Sequence, residues 1–172
     1  MRAEDWMTRD VRTCGPETSL HEAAGAMWEG DCGILPVVNA KGVAIGVVTD
    51  RDLCMGAYLT GRSPQELQVG DTMARQLHAC APSDPIEQVI RVMGDHRVRR
   101  VPVLDGQGRP IGIVALNDIV RHLVEQGEAT RARLAPRVLE AMAAICETRA
   151  GQAVPELVPA PPSRVRRPAP TG

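Results

Sequence analysis

The sequence predicts a mixed α/β fold: two tandem β-α-β-β-α units, then a helical segment and a disordered tail. The first observation behind this prediction is an internal repeat. Aligned with itself at an offset of 66 residues, the sequence matches without a gap. The matched pairs include Met7 and Met73, Cys14 and Cys80, Pro36 and Pro102, Gly46 and Gly112, and Asp52 and Asp118. Such a run indicates a duplication.

The second observation is the order of apolar patterns in the first copy. A short strand near residues 11–14 precedes a capping box, Ser19-x-x-Glu22, which satisfies free amides at a helix start. The helix face that follows has apolar residues at i, i+3, i+4 and i+7: Leu20, Ala23, Ala24 and Met27. Two strand-like runs, "ILPVV" and "VAIGVVT", are joined by "NAKG", and a second helix is expected near 50–60.

The second copy shows the same order with a different helix start. Asp84 is the expected cap and Pro85 the first-turn residue. The apolar face is in the same register and consists of Ile86, Val89, Ile90 and Met93. The strand-like runs are "VPVL" and "PIGIVA", joined by "DGQG", and the last helix is expected near 116–127. One such unit has too small a core to stand alone, so the two are expected to share the apolar faces of their sheets.

These patterns divide the chain into five segments. We predict repeat 1 at 5–60, a connector at 61–72, repeat 2 at 73–127, a helical extension at 128–150 and a Pro/Arg-rich disordered tail at 151–172. Pro136 is expected to interrupt the helical extension early.

Composition narrows the functional classes. The net charge of −1 gives no general attraction to nucleic acid or to an anionic membrane. No apolar run approaches the roughly 18–20 residues that span a bilayer. The start, "MRAEDWMTRD", is too charged for a signal peptide, so we expect a cytoplasmic protein with no membrane partner. The five cysteines lack C-x-x-C spacing, which signals neither a zinc ribbon nor a disulfide scaffold.

Two strings and their lead-ins resemble a known family. The strings are "ILPVVNAKGVAIGVVTDRDL" and "RRVPVLDGQGRPIGIVALNDI", and the lead-ins are "DWMTRDV" and "GDTMARQ". They resemble the CBS (cystathionine β-synthase) domain pair, or Bateman module, over roughly residues 5–125. The layout is similar to small stand-alone bacterial CBS-pair proteins, the hypoxic response protein type among them. The resemblance implies a pseudo-twofold pair with two clefts between the repeats, where adenine nucleotides often bind, and association into a homodimer.

The resemblance also implies ribose-binding positions. In the family, a Ser or Thr and an Asp at the end of the last strand hold the ribose, and Thr49 and Asp52 occupy these positions in repeat 1. In repeat 2, Asp118 is present but Ala115 stands at the hydroxyl position, which implies a weaker or different second site.

Phosphate-binding positions are implied for repeat 2 alone. Basic residues ahead of the "PV" strand often meet phosphate in the γ subunits of AMP-activated protein kinase, and "HRVRRVPV" places Arg97, Arg99 and Arg100 there. Repeat 1 departs from this pattern, with Asp31, Gly33 and Ile34 instead. Val98 and Cys32, four residues before each "PV" proline, are candidates for an apolar wall against a base.

Each of these positions also has a structural interpretation. Thr49-x-x-Asp52 is close to a capping box, and one residue can cap while the other faces a ligand. Arg97 suits the negative C-terminal end of a helix. Strand alternation would send Arg99 and Arg100 to opposite faces, so both serve one ligand only if the backbone bends.

The function we predict is regulation rather than catalysis, because no nucleophile with a base and no phosphate-cradling glycine loop is recognised. The expected ligand is AMP, ADP, ATP or a related adenosyl compound, with no cofactor and no metal. One alternative is a structural module with empty clefts that docks an unidentified protein. A second is a redox or metal sensor using cysteines such as Cys14 and Cys80, which otherwise serve as small buried hydrophobes. A third is nucleic-acid binding through the arginines of the tail, against which a solvated tail is favoured.

Overall fold

The structure, a computed structural model, describes residues 1–147 and confirms the mixed α/β class. The elements of repeat 1 are a 3₁₀ helix at Ala3–Asp5, α1 (Leu20–Glu29), β1 (Ile34–Val38), β2 (Ala44–Thr49) and α2 (Asp50–Thr60). Helix α3 (Val69–Thr72) lies in the predicted connector, and the elements of repeat 2 are α4 (Ile86–His96), β3 (Arg100–Leu104), β4 (Pro110–Ala115) and α5 (Leu116–Glu125). Helix α6 (Glu128–Cys146) follows. The predicted disordered tail lies outside the described residues.

Each repeat contains one antiparallel hairpin, as the turn residues predict. In the first, β1 pairs with β2 and Leu35 stands opposite Val48. Asn39 Oδ1 accepts hydrogen bonds from the amides of Lys41 (2.9 Å) and Val43 (3.1 Å). Gly42 takes φ +77°, a conformation that glycine adopts without steric cost. Strands β3 and β4 repeat this arrangement in the second copy.

The predicted first strand of each repeat is reduced to a single bridging residue. The Cys14 amide donates to Pro36 O (3.2 Å), and Cys14 O accepts from the Val38 amide (2.9 Å), a parallel bridge. The next step on either side would need an amide hydrogen from Pro36 or from Pro16, and proline has none. The ladder therefore stops after one residue, and the same pair of prolines recurs around Cys80 in repeat 2.

The lead-in segments are exchanged between the repeats. Thr8, ahead of the first hairpin, makes reciprocal backbone hydrogen bonds with Ile113 on β4 (2.9 and 3.0 Å). Ala74, ahead of the second hairpin, makes the equivalent pair with Val47 on β2 (2.9 and 3.0 Å). Each hairpin therefore pairs on one edge with the cysteine of its own repeat and on the opposite edge with the lead-in segment of the other repeat.

The two hydrophobic cores follow the same exchange. Ala3 and Trp6 are buried in the core of repeat 2, together with Val89, Val101 and other residues of that repeat. Leu67, Val69 and Met73 are buried in the core of repeat 1. Neither core is complete without a segment from the other repeat, which gives a physical reason why one unit does not stand alone.

The two repeats begin their first helices differently. The Ser19–Glu22 capping box is confirmed: the Glu22 amide donates to Ser19 Oγ (3.1 Å) and the Ser19 amide to Glu22 Oε2 (2.9 Å). The predicted Asp84 cap is wrong. Pro85 takes the N-cap position of α4, while the Asp84 carboxylate accepts a hydrogen bond from the Ala81 amide, three residues earlier in the loop.

Helix α6 runs through Pro136 without a break, contrary to the expected interruption. Leu134 and Val138, on either side of the proline, are buried in the core of repeat 2. Burial of two such side chains contributes roughly 3–6 kcal/mol, enough to offset the roughly 3 kcal/mol that an interior proline costs a helix. None of the helices described between residues 1 and 147 has the length and apolar character that a membrane crossing requires.

Gly46→Ala should destabilise the chain, because the added Cβ would lie 2.5 Å from Ala74 O at the exchange point. We expect a loss of about 1–3 kcal/mol in the free energy of unfolding, measured by urea denaturation. Gly106→Ala is the matched control, since its Cβ would meet no atom within 4 Å. Equal stability of the two variants would contradict the described packing at Ala74.

Candidate functional site

A cavity of about 750 Å³ lies between the two repeats. Repeat 1 contributes Ile34, Val47, Thr49, Asp50, Arg51 and Asp52. The lead-in and loop segments of repeat 2 contribute Ala74, Gln76, His78, Arg97, Val98, Arg99, Arg100 and Pro102, and the end of α6 contributes Ile145 and Glu147. We call this cavity the cleft. Six of the seven sequence-predicted site residues line it; the exception is Asp118.

Thr49 and Asp52 form a complete capping box at the start of α2. Thr49 Oγ1 accepts from the Asp52 amide (3.3 Å), and Asp52 Oδ2 accepts from the Thr49 amide (2.9 Å) and hydroxyl (2.7 Å). The structural interpretation is therefore correct. Asp52 also lines the cleft, and among the described residues no hydrogen bond reaches its Oδ1. One carboxylate oxygen thus holds the helix start, and the other faces no hydrogen-bond donor among the described residues.

Arg97 ends helix α4 in a left-handed conformation, with φ 54°. A non-glycine residue in this region costs about 1–2 kcal/mol, and such conformations cluster at functional sites. The Arg97 guanidinium Nη2 lies 2.5 Å from Glu147 Oε2 at the end of α6. The predicted phosphate-binding arginine thus already holds a carboxylate.

Arg99 and Arg100 line the same cleft although they are adjacent in sequence. The chain bends at Arg99, immediately before β3 begins at Arg100, so the alternation expected of a regular strand does not apply. A Cβ on Gly33, which lines a neighbouring cavity together with Asp50 and Arg100, would lie 3.0 Å from Arg100 Nη2 and 2.7 Å from Asp50 Oδ2. The glycine that interrupts the basic pattern in repeat 1 therefore makes room for the arginine of repeat 2.

The remaining candidates lie in different surroundings. Val98 is half-buried and lines the cleft, whereas Cys32 lines a neighbouring cavity of about 480 Å³ that shares Arg100 with it. Asp118 is buried, and its Oδ1 pairs with Arg121 Nη2 one helical turn away. Ala115, at the N-cap of α5, offers no side-chain cap. The two aspartates related by the repeat thus have different partners.

Ten of the sixteen lining residues were not predicted as site residues, among them Gln76, His78, Ile145 and Glu147. Gln76 and His78 follow the exchanged lead-in segment, so both would have been predicted if the exchange had been known. The His78 ring stacks on His96, with ring centroids 3.7 Å apart. Burial of His78, together with the charge of His96, lowers the pKa of His78 below its usual value. A neutral imidazole therefore faces the cleft at neutral pH.

The charge of the cleft is mixed. Its carboxylates are Asp50, Asp52 and Glu147, and its guanidinium groups are Arg51, Arg97, Arg99 and Arg100. One positive charge remains after these are balanced. An anionic ligand with a polar sugar matches this set, because guanidinium groups bind phosphate and a carboxylate accepts from hydroxyls.

The repeat-related cysteines are part of the two cores. Cys14 and Cys80 are buried, and burial raises the pKa of the Cys14 thiol to about 11 and that of Cys80 to about 12, the Asp84 charge adding to the second. The protonated thiol is a poor nucleophile and metal ligand, which favours the interpretation as small buried hydrophobes. Within residues 1–147, no group of three or more His, Cys, Asp or Glu side chains is placed to hold a metal ion.

Comparisons with known proteins agree with this architecture. A family model described as CBS domain matches residues 3–56 and 69–125. The CBS domain-containing protein YhcV of Bacillus subtilis is 36% identical over 116 residues, 67% of this chain and 81% of YhcV. The crystal structure of hypoxic response protein I with two coordinated zinc ions has a TM-score of 0.64 and 33% identity, covering 71% of this chain and 98% of that one. CBSX2 from Arabidopsis thaliana, in complex with AMP, has a TM-score of 0.62 and 26% identity, covering 72% and 96%.

Thiol accessibility should separate the cysteines into classes. Cys54 and Cys146 are exposed and should react with Ellman's reagent within the native protein, whereas Cys14 and Cys80 should react only after unfolding, because burial keeps their thiols protonated. In denaturant all five should react. Rapid labelling of Cys14 or Cys80 in the native protein, followed by mass spectrometry of peptides, would instead support the redox alternative.

Proposed function

The chain belongs to the CBS domain family, and from this premise we propose that it is a regulatory module that binds an adenine nucleotide in the cleft between its repeats. The proposed ligand is AMP, ADP, ATP or a related adenosyl compound. Binding favours one arrangement of the repeats or of their assembly over another, and this difference is the regulatory output.

The observation that carries the proposal is the meeting of two chemistries in one cavity. Asp52 Oδ1 is available to a ribose hydroxyl and Arg99 and Arg100 are available to phosphate, while Arg97 lies in the same cavity paired with Glu147. Half-buried Val98 offers an apolar contact to a base. The cavity volume, about 750 Å³, lies within the roughly 300–1,000 Å³ of small-molecule sites. The AMP bound to the relative CBSX2 supports the choice of ligand class.

A regulatory role fits the cleft better than a catalytic one. Thr49 is the one described lining residue with a side-chain hydroxyl, and this hydroxyl takes part in the cap of α2. A nucleophile needs a neighbouring base that frees its proton, and Asp52 instead uses that hydroxyl to fix a helix start. The alternatives are a structural module with an empty cleft and a cysteine-based redox or metal sensor.

Calorimetric titration with AMP, ADP, ATP, NAD, S-adenosylmethionine and Zn²⁺ tests the proposal. We expect binding of at least one adenosine compound, with an affinity between micromolar and millimolar; about 1 μM corresponds to about −8 kcal/mol. Heat from none of the adenosine compounds, with no shift in melting temperature, would favour the structural module. Heat from Zn²⁺ alone would favour the metal sensor.

Asp52→Asn should weaken the binding of the nucleotide found in that titration by about 10- to 100-fold. The reason is that a hydrogen bond to a charged group contributes about 1.5–3 kcal/mol. The amide oxygen still caps the Thr49 amide, so the loss of stability should stay below about 1 kcal/mol. Glu22→Gln alters the same kind of cap outside the cleft and should leave affinity unchanged. Unchanged affinity with a large drop in melting temperature would mean that Asp52 is a cap alone.

We also propose a homodimer, formed through the helices of repeat 1. In repeat 2, α6 packs over α4. Helix α1 is the counterpart of α4 in repeat 1, and its Trp28 is 88% exposed, while Tyr58 on α2 is 57% exposed. Large apolar side chains this exposed are typical of an interface. Trp28→Ser should shift the mass measured by light scattering from dimer to monomer, and Leu139→Ser, at a position on α6 that is 65% exposed, should not. A monomeric wild-type chain would contradict the proposal.

A further inference from the structure

The end of helix α6 places a carboxylate inside the cleft. Glu147 lines the cavity and its Oε2 lies 2.5 Å from Arg97 Nη2, although 50 residues separate the two in sequence. We propose that Glu147 is a built-in competitor for the phosphate site: it holds Arg97 when the cleft is empty, and an anionic ligand must displace it. This inference rests on the proposed function and adds a residue outside the CBS repeats that sets ligand charge preference.

Packing farther along α6 fixes the place where Glu147 arrives. The helix has 19 residues and is about 28 Å long. It lies against α4, where a Cβ on Gly94 would be 3.3 Å from the Cα of Ala141, and near its start Arg133 pairs with Glu87 on α4. Leu134, Val138 and Ala141 are buried. The helix is therefore docked independently of its last residues, and its end can release Arg97 without leaving the core.

The Arg97–Glu147 pair is suited to being broken. The side chains are 44% and 63% exposed, and ion pairs this exposed contribute at most about 1 kcal/mol to stability. A guanidinium presents a fork of donors that fits carboxylate and phosphate oxygens alike. The backbone of Arg97, in contrast, is held in its left-handed conformation at the end of α4. A ligand phosphate thus finds a fixed arginine whose present partner is weakly held.

Displacement changes both the charge and the mobility of the site. With Glu147 turned away, the four guanidinium groups of the cleft face two carboxylates instead of three. Affinity for a ligand therefore rises more when the ligand carries more phosphate charge. The last turn of α6, where the Glu147 amide donates to Ala143 O (3.0 Å), loses the side-chain contact that ties it to the cleft.

The test compares Glu147→Gln with Glu87→Gln in the full chain, by calorimetry with adenosine, AMP and ATP. Glu87 pairs with Arg133 between the same two helices but does not line the cleft, so its substitution loosens α6 without changing the charge of the site. For Glu147→Gln we expect AMP to bind about two- to fivefold more tightly than to wild type, ATP to gain more than AMP, and adenosine to be unchanged. Glu87→Gln should match wild type for all three.

The outcomes separate this inference from the proposed function. If wild type binds AMP and Glu147→Gln binds it equally well, competition is overturned while the nucleotide site stands. Equal gains for both variants would mean that helix docking, not competition, sets affinity, and would also overturn it. Binding of none of the three compounds to either protein would overturn competition, and the proposed function would then be decided by ADP, NAD and S-adenosylmethionine in the calorimetric titration described above.

Hydrogen–deuterium exchange gives a second readout. AMP should increase the exchange of amides in the last turn of α6, residues 143–147, in wild type, and Glu147→Gln should show fast exchange there without ligand. Protection of this turn by AMP would contradict displacement.

Discussion

The exchange of lead-in segments is the interaction on which the rest of this structure depends. Four backbone hydrogen bonds, between Thr8 and Ile113 and between Ala74 and Val47, join each hairpin to the segment that precedes the other hairpin. Because Ala74 is fixed to β2, the residues after it run directly along the cleft, where His78 lies. The walls of the cleft are therefore positioned by backbone hydrogen bonds, and the side chains that line it can vary without loss of this backbone arrangement.

Local signals in the sequence were sufficient for much of the fold and part of the cleft. The hairpins and the Ser19 capping box depend on residues within a few positions of one another, so pattern and turn chemistry predicted them. Thr49 and Asp52 were found in the same way, through the repeat and the family resemblance. Their assignment as ligand-binding residues stays a prediction, but their places at the end of β2 and the start of α2 are those expected.

Other features depend on contacts that leave no local pattern. The exchange is made by backbone groups, which every residue has, so no side-chain pattern predicts it. The sequence features that reflect it are Gly46 and Gly112, where a Cβ would clash with the segment that pairs there. The interrupted first strands were readable in principle from Pro16 and Pro36, had the bonding partners been known. Glu147 lies beyond the repeat, and only the packing of α6 on α4 brings it to the cleft.

The exchanged lead-ins carry a consequence for how such a chain could arise. Every contact of the exchange is made twice, by residues 66 positions apart, and each joins one half of the molecule to the other. Two separate polypeptides of half this length could make the same contacts across a symmetric interface. Tethering them end to end would change the effective concentration of the halves rather than the bonds between them. After such tethering the two halves could diverge in sequence, so that one polypeptide has Asp31 in repeat 1 and Arg97 at the equivalent position of repeat 2.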